Sequence, residues 1–416
     1  MSTYRIGTST YSNDPEHAAA LQRALLEAHR DKVRPLCRCT PAGVEMYVAR
    51  VDAHYLIKRM PGTGPAHASS CDSYEPPAEL SGLGQVMGSA IQEDLEGGTV
   101  ALRLDFSLTK IGGRASPAPG DGEGSSVKAD ANKLTLRATL HYLWEQAGLN
   151  RWSPAMQGKR SWFVVRKYLL QAAQGKTAKG SSLADLLFIP ETFNSERRGE
   201  ISSLCDGMLA RLAAPSNPSK NGARKLMLVI GQVKDLLPAR FGHKIVFKHL
   251  PEHHFFMSDD LHKRLLKRFE MELALWGASE KAQLMAIATF SASIAGTATL
   301  EEVSLMTVTD QWLPFESPFD DQLIHAMAAR GRRFVKGLRY NLSSDRPLAS
   351  LVASDTAPKP TAMYILPPGA SDAQEAALAQ LMADSQLASW VWRVGAEMPA
   401  LPDLPGAPAR DAEAVR

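Results

Sequence analysis

Polar and apolar residues alternate over short stretches in the first hundred residues of the chain, which is the pattern of half-buried β-strands. Residues 44–48 and 54–58 alternate in this way and lie close enough together to pair as a hairpin. The glycines and prolines of residues 61–65 then turn the chain, and residues 99–108 alternate again. The N-terminal part of the chain is therefore predicted to be rich in β-structure.

The period of the pattern changes between residues 131 and 175, where apolar residues recur every three or four positions. Leu136 and Leu140 fit one face of a helix, and Val165 and Leu169 fit one face of another. A glycine and a proline between the two stretches separate them. Two helices are therefore predicted in the middle of the chain.

Buried strands are predicted beyond this helical segment. Residues 225–231 and 244–250 are short apolar runs of the kind found in the core of a sheet. Residues 284–300 form the longest uncharged run, but it is short for a membrane span and contains several serines, threonines and a glycine. Buried strands are therefore favoured there over a membrane helix.

The last part of the chain combines helices with short strands. Residues 260–276 are amphipathic and predict one long helix, with Asp259 or Asp260 as its N-cap. An α-β-β-β-α-β order follows: a helix at 319–333, strands at 334–340, 348–354 and 361–366, a helix at 372–384 and a strand at 389–394. The predicted fold class is α+β.

Segments rich in glycine, proline and serine divide this pattern into units. One such segment precedes the helical stretch, a second break lies at 214–224, and the end of the chain is rich in proline and alanine. The predicted units are a β-rich module at 1–111, a flexible linker at 112–130, a helical basic module at 131–224, an α/β domain at 225–397 and a disordered tail at 398–416.

Composition and charge narrow the class of protein only a little. The chain has 416 residues, of which 44% are hydrophobic and 22% charged, which is typical of a globular protein. The net charge of +3 is too small to identify a partner. Residues 1–17 lack the apolar stretch of a secretory signal, so a cytoplasmic location and no membrane association are expected. In a reducing compartment, clustered cysteines indicate a metal site rather than disulfides.

Three of the four cysteines lie within 35 residues, in the pattern Cys37-Arg38-Cys39 followed by His67 and Cys71. Three thiolates and one imidazole are a ligand set that Zn²⁺ binds tetrahedrally. Four protein ligands leave no open coordination position, so the predicted role of the Zn²⁺ is structural. His54 is an alternative to His67 as the fourth ligand, and one helical turn would bring His67 and Cys71 together.

Basic residues are concentrated in the helical module. Residues 131–180 contain nine lysines and arginines and one acid, Glu145, with tryptophans and tyrosines between them. Basic and aromatic side chains on a helical unit are typical of contacts with nucleic-acid phosphates, although a solvated basic helix has the same composition. DNA is therefore the expected partner, and the predicted contacts are Lys159, Arg160, Arg166 and Lys167.

The C-terminal element order is that of the PD-(D/E)XK nuclease-like fold. Enzymes of that fold place an aspartate at the end of the second strand and an acid and a lysine on the third, and the carboxylates hold Mg²⁺ that activates a water molecule. Asp355 is a weak candidate for the aspartate, but the third strand, residues 361–366, has neither an acid nor a lysine. The sequence therefore favours a degenerate nuclease-like domain over an active enzyme, with an unrelated α+β domain as the alternative.

Several motifs resemble a bacterial family of unknown function that is marked by three N-terminal cysteines. They are Cys37-Arg38-Cys39, residues 58–63, residues 67–71, residues 143–152 and residues 334–340. The resemblance extends to about residue 394. Members of that family are commonly carried on integrative conjugative elements and plasmids, so the resemblance implies a mobile-element setting and contact with DNA, without a known activity.

The expected function is that of a zinc-containing, DNA-binding accessory factor of a mobile element. Two alternatives stay open at this point. One is a Mg²⁺-dependent nuclease that uses Asp355, and the other is a scaffold whose zinc module binds a protein partner.

Overall fold

The computed structural model describes residues 3–51, 54–94, 99–110, 130–214 and 224–404. Helices and several sheets are interspersed along these residues, so the prediction of an α+β fold is confirmed. Almost all of the predicted linker at 112–130 and most of the break at 214–224 lie outside the described residues. In the described part of the chain, no helix is long and apolar enough to cross a membrane.

The N-terminal residues form an antiparallel sheet in the order β2-β1-β3-β4-β5, with one helix packed against it. The predicted hairpin is present, and Val48 pairs with Ile57 in it. Leu21 and Leu25 of the helix pack against Ile6 of the first strand. The elements are β1 (Thr3–Ile6), β2 (Ser9–Ser12), α1 (Ala18–Arg30), β3 (Leu36–Cys37), β4 (Val44–Val51) and β5 (His54–Arg59).

The next elements contain both predicted helices, which are α3 and α4, whereas the predicted strand at 99–108 ends at Leu102. They are α2 (Leu83–Val86), β6 (Ile91–Asp94), β7 (Thr99–Leu102), β8 (Thr109–Lys110), α3 (Leu136–Gln146), β9 (Arg151–Trp152), α4 (Trp162–Ala173), β10 (Lys176–Ala178), β11 (Ser181–Ser182), α5 (Leu183–Leu186), β12 (Leu187–Phe188), α6 (Arg198–Ala213) and β13 (Arg224–Lys225).

Strand pairs and one large hydrophobic core extend across the predicted boundary between the β-rich and helical modules. Strand β7 pairs in parallel with β10, with Val100 opposite Lys176, in the sheet β11-β10-β7-β6. Leu102, Leu140 and Ile287 belong to the same buried core. The predicted β-rich and helical modules therefore contribute strands to one sheet and side chains to one hydrophobic core.

Residues 227–308 form a barrel of five strands. The first half of β14 pairs with β17 and its second half pairs with β15, while β16 pairs in parallel with β18 and β18 pairs with β17. These pairings close the sheet on itself in the order β14-β15-β16-β18-β17-β14. The elements are β14 (Met227–Pro238), β15 (His243–Phe247), β16 (Leu250–Met257), α7 (Asp259–Arg268), α8 (Glu270–Ala278), β17 (Gln283–Ala292) and β18 (Ala298–Val308).

Packing inside this barrel requires a glycine at residue 231. A Cβ at Gly231 would lie 2.5 Å from the ring of Phe247, so glycine lets that ring fill the barrel.

The prediction of one helix over 260–276 is wrong, because Phe269 leaves the helical conformation and divides the segment into α7 and α8. The N-cap is Ser258, whose hydroxyl accepts a hydrogen bond from the Leu261 amide, and not Asp259 or Asp260.

The C-terminal elements have the predicted order α-β-β-β-α-β. The sheet order is β22-β21-β20-β19-β9, in which β22 is parallel to β21 and the other pairs are antiparallel. The likeness to a nuclease fold stays a prediction. The elements are α9 (Pro318–Ala329), β19 (Phe334–Lys336), β20 (Leu351–Ala353), β21 (Thr361–Leu366), α10 (Asp372–Asp384) and β22 (Ala388–Arg393).

A helix covers each face of this sheet. Met363 packs with α9 on one side, and Tyr364, its neighbour in the strand, packs with α10 on the other. Residues 398–404 of the predicted tail also reach this domain, where Leu401 is buried and the carbonyl of Pro402 accepts a hydrogen bond from Arg332. The remaining residues of the predicted tail, 405–416, lie outside the described residues.

Candidate metal centre

Cys37 and Cys39 enter the site from the centre of the N-terminal sheet. Strand β3 lies between β1 and β4, and Cys37 is its last residue, paired with Tyr4 and Val44. Cys39 follows two residues later, in the turn that comes directly after β3. Cys37 is 1% exposed, so this end of the site is closed to solvent.

His67 and Cys71 enter from the segment after β5. The predicted helical turn is absent here: a short 3-10 helix at Gly64–Ala66 is followed by a turn in which the Cys71 amide donates to the Ala68 carbonyl at 2.8 Å. The turn still brings the two side chains together. Like Cys37, His67 is almost fully buried.

The four side chains form one compact cluster, as the sequence predicted. All their ligand atoms lie within 4.8 Å of one another. The Sγ atoms of Cys37 and Cys71 are 3.7 Å apart, and His67 Nδ1 lies 3.3 Å from Cys39 Sγ and 3.8 Å from Cys71 Sγ. Two sulfurs bound tetrahedrally at ~2.3 Å from one Zn²⁺ would be about 3.7 Å apart. The sulfur separation is far too long for a disulfide.

Burial and nearby backbone amides set the protonation chemistry of the cluster. Burial raises the pKa of the Cys37 thiol to about 12 and also raises the pKa of Cys71, while it lowers the pKa of His67. The backbone amides of Ala68 and Ser73 point at the sulfurs of Cys39 and Cys71, at 3.5 and 3.4 Å. Such donors stabilise thiolates, and binding a metal ion would release the thiol protons.

The ligand set can therefore hold a metal ion with four protein ligands. The alternative ligand His54 is exposed at the start of β5 and is not part of the cluster. A four-ligand set has no position for a substrate or a water, which is the arrangement of a structural site. In the described ranges, this is the one group of metal-binding side chains that comes together.

The loop that carries His67 and Cys71 is held by an ion-pair network that the sequence did not reveal. Glu75 forms ion pairs with Arg59 of β5 and with Arg151 of β9. Arg151 also donates to the Asp72 carbonyl at 2.9 Å, and Arg333 donates to the Ser70 carbonyl at 3.3 Å. The loop therefore connects the metal cluster to the helical and C-terminal parts of the chain.

Two of the four predicted DNA contacts are engaged within the protein. The Arg160 guanidinium donates to the carbonyls of Gly148, Leu149, Arg151 and Gln311. Arg166 donates through Nε to the Ile189 carbonyl at 3.0 Å. Both arginines thus hold loops around α4. A run of basic residues in the sequence does not predict these hydrogen bonds, because some of the accepting carbonyls come from distant parts of the chain.

The other two predicted contacts are exposed: Lys159 lies in the turn before α4, and Lys167 lies on α4. Among the described residues, neither ammonium group has a carboxylate partner. Phe163 is 64% exposed and Tyr168 is 44% exposed on the same helix. We call Lys159, Phe163, Lys167 and Tyr168 the α4 surface.

Several other basic residues of the 131–180 segment are engaged within the protein. Arg137 donates to the Tyr340 carbonyl at 2.8 Å, Lys179 donates to the Phe106 carbonyl, and Lys176 is 4% exposed beside the Tyr142 ring. The basic surface is therefore smaller than the count of nine basic residues suggests.

Asp355, the weak catalytic candidate, lies just after β20, as predicted. Its Oδ1 accepts a hydrogen bond from Arg332 Nη2 at 2.9 Å, and its Oδ2 accepts one from the Arg333 amide at 2.7 Å. Arg332 is 4% exposed, and Asp355 is the partner that balances its charge. This geometry gives the carboxylate a structural task.

The partly buried carboxyl group of Glu145 lies near Glu75 of the loop at 67–75. The Tyr340 hydroxyl donates a hydrogen bond to Glu145, and burial raises the pKa of Glu145 to about 7, with a further contribution from the nearby Glu75. Glu145 was predicted only as the lone acid of a basic segment. Its burial follows from the packing of α3 against residues near 340, which the local pattern does not encode.

Of three comparisons with known proteins, one found a match, which is to a family model. The comparison with curated proteins and the comparison with solved structures each found no match. A family model covers residues 4–395, which is nearly the whole chain. The protein therefore belongs to the family described as "Protein of unknown function (DUF1173)".

Proposed function

We propose that this protein binds DNA and that one structural Zn²⁺ stabilises its N-terminal module. Zinc is the proposed ion because three sulfurs and one imidazole nitrogen are ligands that Zn²⁺ prefers. The 3.7 Å between the Cys37 and Cys71 sulfurs also matches the spacing of two sulfurs in a tetrahedral zinc site. The metal would hold β3 and the loop at 67–71 together and would take no part in chemistry.

The observation that carries the proposal of DNA binding is the α4 surface. Exposed aromatic rings beside lysines without carboxylate partners can serve as a surface for nucleic acid. Lys167 Nζ lies 5.9 Å from the centroid of the Tyr168 ring, and Phe163 precedes Lys167 by one helical turn. Lysines can contact phosphates while neighbouring rings pack on sugars or bases.

The biological setting extends this proposal. The resemblance to a family carried on integrative conjugative elements and plasmids implies an accessory role in the handling of such an element's DNA. That setting would supply the ligand that the α4 surface fits. Neither a nuclease nor a protein scaffold gains support from a specific contact, since Asp355 is engaged by Arg332 and Arg333.

The test is a titration of the full-length protein with fluorescently labelled duplex and single-stranded DNA over a series of salt concentrations. We expect affinity that falls steeply as salt rises. A plot of log K against log salt for duplex DNA has a negative slope. In the Lys159→Gln/Lys167→Gln variant this slope should become shallower by about 0.9 for each phosphate contact that is lost.

The matched control is Arg5→Gln/Arg23→Gln, which removes two exposed positive charges from the N-terminal module. This variant should keep the wild-type slope. Wild-type protein that binds neither duplex nor single-stranded DNA at low salt would refute DNA binding. Equal losses in both variants would show a general charge effect and would remove the α4 surface from the proposal.

A further inference from the structure

The outer face of two barrel strands carries a second set of exposed aromatic and basic side chains. In chain order the barrel strands are β14, β15, β16, β17 and β18, with α7 and α8 between the third and the fourth. The third and fifth strands are parallel, and the first strand pairs with both the second and the fourth. We infer that the outer face of β15 and β16 binds single-stranded DNA.

The architecture gives the location of this site. Five-stranded Greek-key barrels of the OB type bind oligonucleotides on the face of their second and third strands, next to the loops that join strands one and two and strands four and five. Here those strands are β15 and β16, and the loops are residues 239–242 and 293–297. Because a fold alone does not establish a function, the side chains must supply the chemistry.

The floor of the site consists of outward-facing residues of the two strands. Ile245 and Phe255 are opposite each other and point into the core, so their neighbours Lys244, His254 and Phe256 point outward. Lys244 Nζ lies 3.4 Å from His254 Nδ1, and the His254 and Phe256 rings meet edge to face at 6.3 Å. The floor therefore combines a cation with rings on which bases can stack.

Both loops border this floor near the last three residues of β16. Residue 242 lies beside the Met257 carbonyl at the end of the strand, and Ala298, just after the other loop, pairs with Phe255. Phe241 at the first loop is 81% exposed, with the Arg240 guanidinium 5.4 Å from its ring centroid. Ile294 at the second loop is 96% exposed.

We call this set the barrel face; its residues are Arg240, Phe241, Lys244, His254, Phe256 and Ile294.

Charge and shape select single-stranded DNA as the occupant. Arg240 and Lys244 can meet phosphates, while Phe241 and Phe256 offer rings to bases, which are accessible only when the strand is unpaired. Three carboxylates lie on or beside these strands: Asp235 of the neighbouring β14, opposite Val246, Glu252 of β16, paired with Arg198, and Asp259, 3.2 Å from His243 of β15. Glu252 and Asp259 have basic partners, so among these three carboxylates Asp235 alone stands against the cations Arg240 and Lys244 in the described residues.

The barrel face goes beyond the proposed function, because it lies on other elements than the α4 surface and takes a different form of DNA. The two surfaces can therefore fail separately. A Trp162 ring stacked on His249 at 5.0 Å places the start of α4 beside the β15–β16 turn.

The experiment compares the affinity of full-length variants for a labelled single-stranded oligodeoxythymidine and for a duplex. Phe241→Ala/Lys244→Gln should weaken binding of the single strand by roughly tenfold or more, since one stacked ring and one phosphate contact are lost. Its salt slope for the single strand should fall by about 0.7. Phe241 is exposed and Lys244 is at the surface, so the unfolding midpoint should stay at the wild-type value.

The matched control is Leu26→Ala/Arg23→Gln on α1, which removes a similar exposed apolar side chain and one charge and should bind like wild type. A barrel variant that binds the single strand with wild-type affinity and slope would overturn the inference and leave the α4 proposal standing. Tighter binding of an RNA of matching length would overturn DNA as the occupant. A wild-type protein that binds neither the single strand nor the duplex would refute both the α4 proposal and the barrel-face inference.

Discussion

Gly82 shows how one residue limits the distance between two parts of the chain. Its amide donates to the Leu338 carbonyl at 2.9 Å, and a Cβ at this position would lie 1.9 Å from the Arg339 carbonyl oxygen. The obstacle is backbone, which cannot rotate away as a side chain can. We expect Gly82→Ala to lower the free energy of unfolding by about 3 kcal/mol, measured by urea denaturation.

Gly207→Ala in α6 is the control for this substitution. Its Cβ would meet only the Arg211 side chain at 3.6 Å, an ordinary contact. Alanine inside a helix is favoured over glycine, so this variant should gain roughly 0.5–1 kcal/mol. A Gly82→Ala protein as stable as wild type would contradict the close approach of residues 82 and 339.

Glu145 should make stability depend on pH. The folded protein keeps the Glu145 proton up to a pKa of about 7, whereas the ordinary pKa is 4.5. Between these values the folded state binds more protons than the unfolded state, so the free energy of unfolding falls as pH rises from about 4.5 to about 7. Glu145→Gln keeps an acceptor for Tyr340 and should make this part of the pH profile flatter.

The readout is the difference between the two unfolding profiles, which cancels the other titrating groups. Glu27→Gln, at an exposed position of α1, is the control and should follow the wild-type profile. A Glu145→Gln profile parallel to wild type across this range would show that Glu145 is already ionised in the folded protein.

Residue chemistry could be predicted from the sequence where it depends on type and spacing. Cys37, Cys39, His67 and Cys71 were identified because few other residues can bind zinc, and the structure brings them together. The role of Arg160 could not be predicted, because its acceptors, such as Gln311, reach it only through the fold. The role of Glu75 in holding the loop at 67–75 could not be predicted for the same reason, because its partners Arg59 and Arg151 reach it only through the fold.

At the scale of elements, the local period of the pattern predicted most helices and strands. The order α-β-β-β-α-β follows from short-range signals such as caps and apolar runs, and it is confirmed. Pairing between distant strands has no such signal. The barrel was not predicted, because its closure requires β14 to pair with β15 on one edge and with β17 on the other.

Helix α10 offers a test of how its first turn is held. Ser371 accepts a hydrogen bond from the Gln374 amide, and Gln374 Oε1 accepts one from the Ser371 amide at 2.9 Å, which is a capping box. We expect Ser371→Ala to destabilise the first turn by about 1 kcal/mol. Amide hydrogen exchange at residues 373–376 should then become faster.

Ser371→Asp is the matched control, because its carboxylate can accept the same hydrogen bond and suits the start of a helix. Exchange at these residues should stay close to the wild-type rate in this variant. Equal acceleration in both variants would mean that the side-chain oxygen at residue 371 does not hold the first turn.

At the scale of the whole molecule, the metal cluster and its loop join parts that are distant in sequence. Cys37 and Cys39 come from the N-terminal sheet, while the loop at 67–75 contacts Arg151 and Arg333. Loss of the metal should therefore loosen more than the four ligands.

Zinc content of the purified full-length protein tests the central claim most directly. Inductively coupled plasma mass spectrometry should find one Zn²⁺ per chain in wild type, far less in Cys39→Ser, and one in Cys205→Ser. Cys205 is the control because it is a buried cysteine of α6 outside the cluster. Folded wild-type protein without zinc, or equal loss of zinc from both variants, would contradict a structural zinc site at Cys37, Cys39, His67 and Cys71.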